Sequence, residues 1–291
     1  MKIGLIDVDS HNFPNLALMK ISAWHKAIGD DVEMWNGLKY YDKVYASKVF
    51  DNTYTADMEY CINADEVIKG GTGYDLQNRL PEKIEHMMPD YSIYGVPEAY
   101  GFLTRGCPRG CDFCIVGKKE GLKSYKVADL SEFWTGQKHI KLLDPNITAS
   151  KDCIPLLEQL SKSKAWVDFT QGIDIRCMTV EIAEALSEVK VKMLHFAWDN
   201  YTDDTIPYLL WHFKKRTKLD GRRLRVYVLT NFNTTHEQDL ERIYKLRELD
   251  YDPYVMIYNK PKAPKKTKEV ARWVNSKIIW RSCDKFENYK S

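Results

Sequence analysis

The 291-residue chain has no long apolar run, no short repeat and no even set of cysteines. No run approaches the roughly 18 consecutive apolar residues of a membrane-spanning helix, which excludes an integral membrane protein. No short period recurs and 44% of the residues are hydrophobic, so collagen-like, coiled-coil and disordered chains are excluded as well. The length suits one large domain or two modest ones.

The first residues, MKIGLIDVDS, also lack the features of a signal peptide, because their short apolar stretch runs into two aspartates. They are typical of a first β-strand, and we expect a cytoplasmic protein. The seven cysteines are an odd number, which argues against a disulfide framework. Three of them, Cys107, Cys111 and Cys114, fall within eight residues.

Charge is distributed unevenly, although the formal net charge of the chain is only +2. From residue 211 to residue 291, 20 Lys and Arg stand against 10 Asp and Glu, or +10, which leaves 23 against 31, or −8, in the remainder. A basic carboxy-terminal third suits an anionic partner such as RNA, a nucleotide or an acidic peptide. A solvated lysine-rich surface is the simpler interpretation.

Short apolar stretches alternate with segments of helical periodicity along the chain. In the first part, a helix is predicted over 16–29 and strands over 2–8, 32–35, 43–47 and 66–69. In the second part, helices are predicted near 151–162, 179–188, 203–217 and 236–248. The strands predicted around these helices are 100–103, 140–143, 166–170, 192–197, 224–229 and 253–257. Such alternation predicts an α/β protein with parallel sheets.

Three regions follow from this pattern. Residues 1–97 are expected to form a small Rossmann-like domain. Six strand–helix units in about 160 residues are too few for an eight-stranded barrel, so residues 98–262 are expected to form a partial (β/α)6 barrel of the TIM type. Residues 263–291 are expected to form a basic carboxy-terminal extension.

Cys107, Cys111 and Cys114 form a C-x3-C-x2-C motif directly after a predicted strand. Thiolates are soft ligands that suit zinc, copper(I) or iron–sulfur clusters. Structural zinc and ferredoxin clusters both need four ligands, and the spacing here matches neither. Three closely spaced thiolates fit a [4Fe-4S] cluster with one iron left open. Gly106 and Gly110 permit tight turns around such a cluster.

With Phe113 before its last cysteine, the motif resembles the signature of radical S-adenosylmethionine (SAM) enzymes. The flanks TRGCPRGCDFC are most similar to the subgroup whose radical domain follows a cobalamin-binding-type domain. The resemblance implies that SAM chelates the open iron and that an electron from the cluster cleaves the sulfur–C5′ bond. The resulting 5′-deoxyadenosyl radical abstracts a substrate hydrogen. A reduced flavodoxin or ferredoxin is the implied electron donor.

The resemblance also implies that several residues contact SAM. The segment around Phe113 is expected to contact the adenine. Asp144 is expected near the methionyl end, although the Gly-Gly-Glu of the family is absent. Arg176 is expected to pair with the SAM carboxylate, and Asp199 with the amine or ribose. A turn or helix-capping role is the alternative for each of the last three.

The first domain resembles cobalamin-binding domains in three ordered elements, which are Asp9-Ser-His11, Ser47-Lys-Val49 and Gly70-Gly71. The resemblance implies that His11 is the lower cobalt ligand, oriented by Asp9. Pro14 stands where the family has a glycine, so bound cobalamin and a degenerate domain are both retained as interpretations. Bound cobalamin would favour methyl transfer.

These observations predict a radical SAM enzyme that acts on an RNA, nucleotide or peptide substrate. Two other classes stay open. One is an iron–sulfur module that binds or transfers electrons without radical chemistry. The other is a zinc-binding nucleic-acid module that uses the basic carboxy-terminal third.

Overall fold

A computed structural model describes residues 1–10, 13–51, 55–57 and 62–289. This part of the chain has a mixed α/β fold with one four-stranded and one six-stranded sheet, both parallel throughout. None of its helices has the length and apolar character to cross a membrane.

The small sheet contains β1 (Lys2–Asp7), β2 (Asp31–Met34), β3 (Tyr41–Ser47) and β4 (Ala64–Gly70), in the order β2-β1-β3-β4. Helix α1 (Leu16–Ala27) connects β1 to β2. It begins at Asn15, whose side chain accepts a hydrogen bond from the N–H of Leu18. Apolar residues of β1 and α1 pack together in one small core, namely Ile3, Leu5, Leu18 and Ile21. The four predicted strands and the helix are confirmed.

The crossover from β2 to β3 differs from the expected alternation, because residues 35–40 connect the strands without a helix. A parallel crossover ordinarily needs a dozen or more residues. Six suffice here because β2 has only four residues, so the chain returns to the start of β3 over a short path.

Between the two sheets lie α2 (Glu82–Glu85) and the first strand of the large sheet, β5 (Ala99–Gly101). Strand β6 (Thr104–Arg105) then pairs antiparallel with β7 (Tyr125–Lys126). Helix α3 (Val116–Glu120) lies within the loop that this pairing closes. The three clustered cysteines are in the same loop, ahead of α3.

The large sheet continues with β8 (His139–Leu142), β9 (Trp166–Phe169), β10 (Val191–Ala197), β11 (Leu224–Thr230) and β12 (Asp252–Ile257). Its strands pair in chain order from β5 to β12. The helices between them are α4 (Cys153–Ser163), α5 (Val180–Ser187), α6 (Thr205–Thr217) and α7 (His236–Glu248). All six predicted strands and four predicted helices are confirmed, with ends shifted by one or two residues.

One face of the large sheet packs on these helices. Its central strands contribute side chains that are at most 2% exposed, which are Ile140, Leu142, Val167, Phe169, Leu194, Phe196, Val226 and Val228. Burial of each such side chain stabilises the fold by roughly 1.5–3 kcal/mol. The opposite face, which we call the polar inner face, carries Lys141, Asp168 and Tyr227 instead. One-sided burial therefore leaves the other face of the sheet for polar chemistry.

Helix α8 (Lys265–Asn275) covers the outer edge of β12, and α9 (Lys277–Ser282) packs against α8. The side-chain amide of Asn275 accepts from the N–H of Val255 at 2.8 Å and donates to its carbonyl at 3.0 Å. Trp273 of α8 is fully buried in the main core. An edge strand with bare N–H and C=O groups would otherwise invite pairing with another chain.

A fully buried arginine on α7 holds the carboxyl ends of β10 and β11 in place. The guanidinium of Arg242 donates to the carbonyls of Trp198 and Leu229 at 2.5 and 2.8 Å and to that of Asp199 at 3.2 Å. It also pairs with Asp239 at 2.6 Å. A buried charge is tolerated when it is paired and hydrogen-bonded in this way.

Arg242→Ala is expected to lower the free energy of unfolding by about 3–5 kcal/mol, because it removes the buried cation that pairs with Asp239 and the donor to three carbonyls. Urea unfolding measures the change. Arg222→Ala removes the same charge from an arginine whose side chain is 82% exposed and should leave the midpoint nearly unchanged. Equal midpoints for Arg242→Ala and the wild type would contradict the structural role of Arg242.

Candidate functional site

The candidate site lies where the strands of the large sheet end. Asp144 follows β8, Arg176 follows β9 and Asp199 follows β10. Because all six strands run parallel, these loops meet at one edge of the sheet, as in other parallel α/β folds. The cysteine loop follows β5 and β6 and reaches the same edge.

The cysteine loop is shaped by salt bridges and glycines. Arg105 donates to Glu120 at 2.8 Å, and the other carboxylate oxygen of Glu120 accepts from the N–H of Gly106 at 3.0 Å. Gly106 has φ +79°, and a side chain there would collide with the carbonyl of Lys123. Only glycine fits this position. Directly after this turn, the N–H of Cys107 donates to the carbonyl of Gly121 at 3.2 Å, which closes the base of the loop.

The three thiols are half-buried. Burial raises the pKa of Cys111 and Cys114, and the carboxylate of Asp199 together with the neighbouring thiols raises them further. The buried amide of Asn146 donates to the sulfur of Cys107 at 3.5 Å. Within the described ranges, no three His, Cys, Asp or Glu side chains are close enough to share one metal ion. A cubane cluster, unlike a single ion, binds thiolates at separate corners.

Asp144 lies beneath this loop and is 3% exposed. Its carboxylate accepts hydrogen bonds from the N–H of Leu103 at 3.1 Å and from the N–H and hydroxyl of Thr104 at 2.5 and 2.6 Å. Burial raises the pKa of Asp144 to about 6, although these hydrogen bonds act to lower it. Asp144 thus ties the end of β8 to the start of the cysteine loop. Its contact with SAM stays a prediction.

Arg176 is engaged by two carboxylates. Its Nε donates to Asp174 at 2.6 Å and its Nη1 to Asp203 at 3.0 Å. Burial lowers the pKa of Arg176, but these two ion pairs outweigh burial and raise it overall. Contact between Arg176 and the SAM carboxylate stays a prediction.

Arg109 approaches the same group from the cysteine loop. Its Nε is 3.6 Å from the second oxygen of Asp174, and that oxygen is buried without a hydrogen bond. Sequence reasoning missed Arg109, although its position between Cys107 and Cys111 was an available signal. It adds a cation beside the thiols.

Asp199 is half-buried next to the thiols. Burial raises its pKa to about 6, while Arg242 and Arg176 oppose the shift and Asp174 adds to it. Among the described residues, none donates a hydrogen bond to its carboxylate. A carboxylate in this setting suits an ammonium or hydroxyl group of a ligand.

Three aromatic side chains form a ridge at the edge of the site. The ring centroid of Phe113 is 5.5 Å from that of Phe232, which is 4.9 Å from that of Tyr258, both edge to face. We call this set the aromatic ridge. Phe232 is 37% and Tyr258 41% exposed. Neither Phe232 nor Tyr258 is among the site residues expected from the sequence, although each follows the end of a predicted strand.

In the small sheet, the predicted cobalt ligand His11 lies outside the described residues. Its predicted partner Asp9 is 3% exposed, and its two carboxylate oxygens accept from the N–H groups of Val49 and Phe50 at 2.7 and 2.8 Å. The hydroxyl of Ser47 accepts from Asn15 at 2.9 Å. Asp9 and Ser47, two of the residues that the cobalamin resemblance singled out, are thus engaged within the protein.

Two cavities border these regions. One, of about 460 Å³, lies at the carboxyl end of β1 and is lined by Asp7, Phe13, Met34 and Tyr94, among others. The hydroxyl of Tyr94 donates to Asp7 at 2.7 Å. The other, of about 840 Å³, lies between α6 and α7, and none of the predicted site residues lines it. Chemistry, rather than cavity size, identifies the candidate site.

Comparison with solved structures gives this fold a class. The structure of the radical SAM methyltransferase TsrM from Kitasatospora setae, with cobalamin and a [4Fe-4S] cluster bound, has a TM-score of 0.63 and 11% identity. The match covers 88% of this chain and 74% of TsrM. TsrM with tryptophan and a SAM analogue bound gives a TM-score of 0.62 at 11% identity, over 88% of this chain and 72% of that one.

SuiB from Streptococcus suis, bound to SAM, matches 72% of this chain and 53% of its own, with a TM-score of 0.43 and 13% identity. TsrM is thus a radical SAM methyltransferase, and SuiB is a protein that binds SAM. No protein-family model and no curated protein matches the sequence. At 11% identity, the likeness to TsrM establishes a shared fold.

Asp199→Asn is expected to raise the free energy of unfolding near pH 7.5 by about 1–3 kcal/mol. The reason is that the folded protein holds an ionised carboxylate whose pKa burial has raised to about 6. The gain should shrink as the pH falls from 6 towards 4, where the folded wild type binds the proton. Urea unfolding at a series of pH values measures it.

Asp203→Asn provides the control of opposite sign. Burial acts to raise the pKa of Asp203. The hydrogen bond from the Thr205 hydroxyl and the ion pair with Arg176 at 3.0 Å outweigh burial and lower this pKa overall. The variant should therefore lose stability near pH 7.5. Loss of stability in Asp199→Asn at that pH would contradict the predicted sign.

Proposed function

We propose that this chain is a radical SAM enzyme whose cysteine loop holds a [4Fe-4S] cluster. One observation carries the proposal, which is a loop with three half-buried thiols at the carboxyl edge of a parallel six-stranded sheet. The likeness of this fold to TsrM supports it. Residues 98–262 then form an open (β/α)6 barrel, and residues 1–97 a cobalamin-domain-like layer beside it.

The donor set fits the cluster. Three thiolates bind three corners of a cubane and leave the fourth iron for an exchangeable ligand. The Asn146 amide, 3.5 Å from the sulfur of Cys107, would donate to that sulfur as outer hydrogen bonds do in such sites. The tie between Asp144 and the start of the loop would keep the thiols in position.

When bound, such a cluster supplies the electron that cleaves SAM to methionine and a 5′-deoxyadenosyl radical. Residues of the chain would orient SAM for that step. The Asp199 carboxylate would bind the SAM ammonium or ribose, and Arg109 or Arg176 the SAM carboxylate. Phe113 would border the adenine. We expect a reduced flavodoxin or ferredoxin as electron donor, in the cytoplasm.

The polar inner face of the large sheet would receive the substrate. Nδ1 of His195 donates to the carbonyl of Phe169 at 3.0 Å, which fixes the tautomer and makes Nε2 a hydrogen-bond acceptor. The ring of His195 stacks on Tyr227 with centroids 5.1 Å apart. Burial lowers the pKa of His195 and outweighs the nearby carboxylate of Asp168, which acts to raise it. A neutral imidazole suits a substrate that presents an N–H or O–H group.

Cobalamin does not fit the described residues of the small sheet. Asp9 uses its two carboxylate oxygens on the backbone of Val49 and Phe50. Pro14 borders the cavity at the end of β1, and its ring stiffens the chain where the family has a glycine. Hydrogen abstraction rather than methyl transfer is therefore the proposed reaction class.

Cys111→Ala is expected to lose the cluster after anaerobic reconstitution, because the two remaining thiolates hold it poorly. Iron content and the broad visible absorption should fall, and 5′-deoxyadenosine formation from SAM under a strong reductant should cease. Cys283→Ala removes a thiol from beyond α9 and serves as the matched control, with iron and SAM cleavage retained.

Two results would favour the other classes. Equal iron content in the wild type and Cys111→Ala would contradict the proposed ligand set. Bound zinc without iron would support a zinc-binding module. A full cluster in the wild type without 5′-deoxyadenosine would support an electron-transfer module.

Hydroxocobalamin incubated with the reconstituted protein is expected to separate from it on gel filtration, because Asp9 and Ser47 are already engaged. Absorption of the corrin in the protein fraction measures retention, and His11→Ala should behave like the wild type. Stoichiometric retention by the wild type that His11→Ala abolishes would restore the cobalamin-dependent interpretation.

A further inference from the structure

The aromatic ridge joins two chain segments that carry exposed cations, the cysteine loop and the segment after β12. Phe113 connects it to the cysteine loop, and Tyr258 to the end of β12. The side chain of Asn231 donates to the carbonyl of Tyr258 at 2.8 Å, which joins the loops after β11 and β12. The ridge therefore has a defined backbone support, although two of its rings face solvent.

On one side, a basic segment begins two residues after Tyr258. Its lysines are all exposed and comprise Lys260, Lys262, Lys265, Lys266 and Lys268. Nζ of Lys265 forms an ion pair with a carboxylate oxygen of Glu269 at 3.6 Å. Lys260, Lys262 and Lys266 form no ion pair with any residue in the described ranges.

On the other side, the cysteine loop exposes Arg109, Lys118 and Lys123. The contact of Phe113 with Phe232 brings this loop against the end of β11. The edge thus presents cations on both sides of exposed aromatic rings.

This combination favours a single-stranded polynucleotide over an acidic peptide. Proteins that bind single strands pair a basic track for the phosphates with aromatic rings on which bases stack. An acidic peptide would use the lysines but has no bases to stack on Phe232 and Tyr258. An exposed ring pair beside unpaired lysines is therefore best explained by a ligand that has both phosphates and bases.

We propose that the aromatic ridge and the basic segment bind a single-stranded polynucleotide and present one of its nucleotides to the SAM site. This inference rests on the proposed function, because it names the substrate class of that site. The bases stack on Phe232 and Tyr258 while the phosphates pair with Lys260, Lys262 and Lys266.

Fluorescence anisotropy with labelled oligouridylate and oligothymidylate of about 12 nucleotides tests the proposal on the reconstituted protein. Affinity should fall about twentyfold between roughly 50 and 200 mM salt, as expected for about three released counterions. Tighter binding of the uridylate would identify RNA, and tighter binding of the thymidylate would identify DNA as the physiological strand; either supports the proposal. Absence of binding to both at low salt would overturn it.

Charge reversal at Lys260, Lys262 and Lys266 to Glu should weaken binding about tenfold or more. The matched control reverses Lys138, Lys164 and Lys190, which are exposed near the amino ends of β8, β9 and β10. It should change affinity by no more than about twofold at higher salt, because screening removes distant charges. Equal loss in both variants would assign binding to overall charge and overturn the proposal.

Tyr258→Leu retains apolar volume but removes the ring, and should weaken binding about fivefold without changing the salt dependence. An unchanged affinity, or equally tight binding of a labelled polyglutamate peptide, would overturn the role of stacking. SAM cleavage without oligonucleotide should be unchanged in the lysine variant. If the wild type binds the oligonucleotide but does not cleave SAM, the polynucleotide-binding surface is supported and the proposed function is overturned. If it cleaves SAM but binds no oligonucleotide, the proposed function is supported and the binding surface is overturned.

Discussion

A buried carboxylate determines where the thiols lie. Asp144 ends β8 and accepts from the backbone of Leu103 and Thr104, immediately before the cysteine loop. The energetic cost of burying it is visible in its raised pKa of about 6. Without these hydrogen bonds, the cysteine loop would be connected to the sheet only through the short strands β6 and β7. Sheet, loop and thiols become one unit through this contact.

Arg242 plays the corresponding part on the far side of the site. Its guanidinium holds the carbonyls that follow β10 and β11, including that of Asp199. A negative group beneath one loop and a positive group beneath the others thus fix the edge at which the candidate ligands lie. Neither residue needs to touch a ligand to determine where one binds.

The strands and helices of the large sheet could be predicted because their apolar residues recur with clear periods, as in LRVYVLT of β11. The cysteine motif could be predicted from spacing alone. The ion pair between Arg176 and Asp203 could not, because these two residues lie on different loops, after β9 and β10, that only the folded sheet brings together. The same holds for Phe232 and Tyr258, whose contact joins the ends of two strands. The short crossover of the small sheet escaped prediction because it depends on the length of β2.

The pairing of Asn275 with the backbone of Val255 has a consequence for biosynthesis. During translation, β12 leaves the ribosome before α8, so its outer edge stays bare until about twenty further residues have followed. In that interval two nascent chains on one polysome could join edge to edge. The interval ends when the Asn275 side-chain amide bonds to the backbone of β12. Helix α8 thereby protects the edge strand from co-translational aggregation.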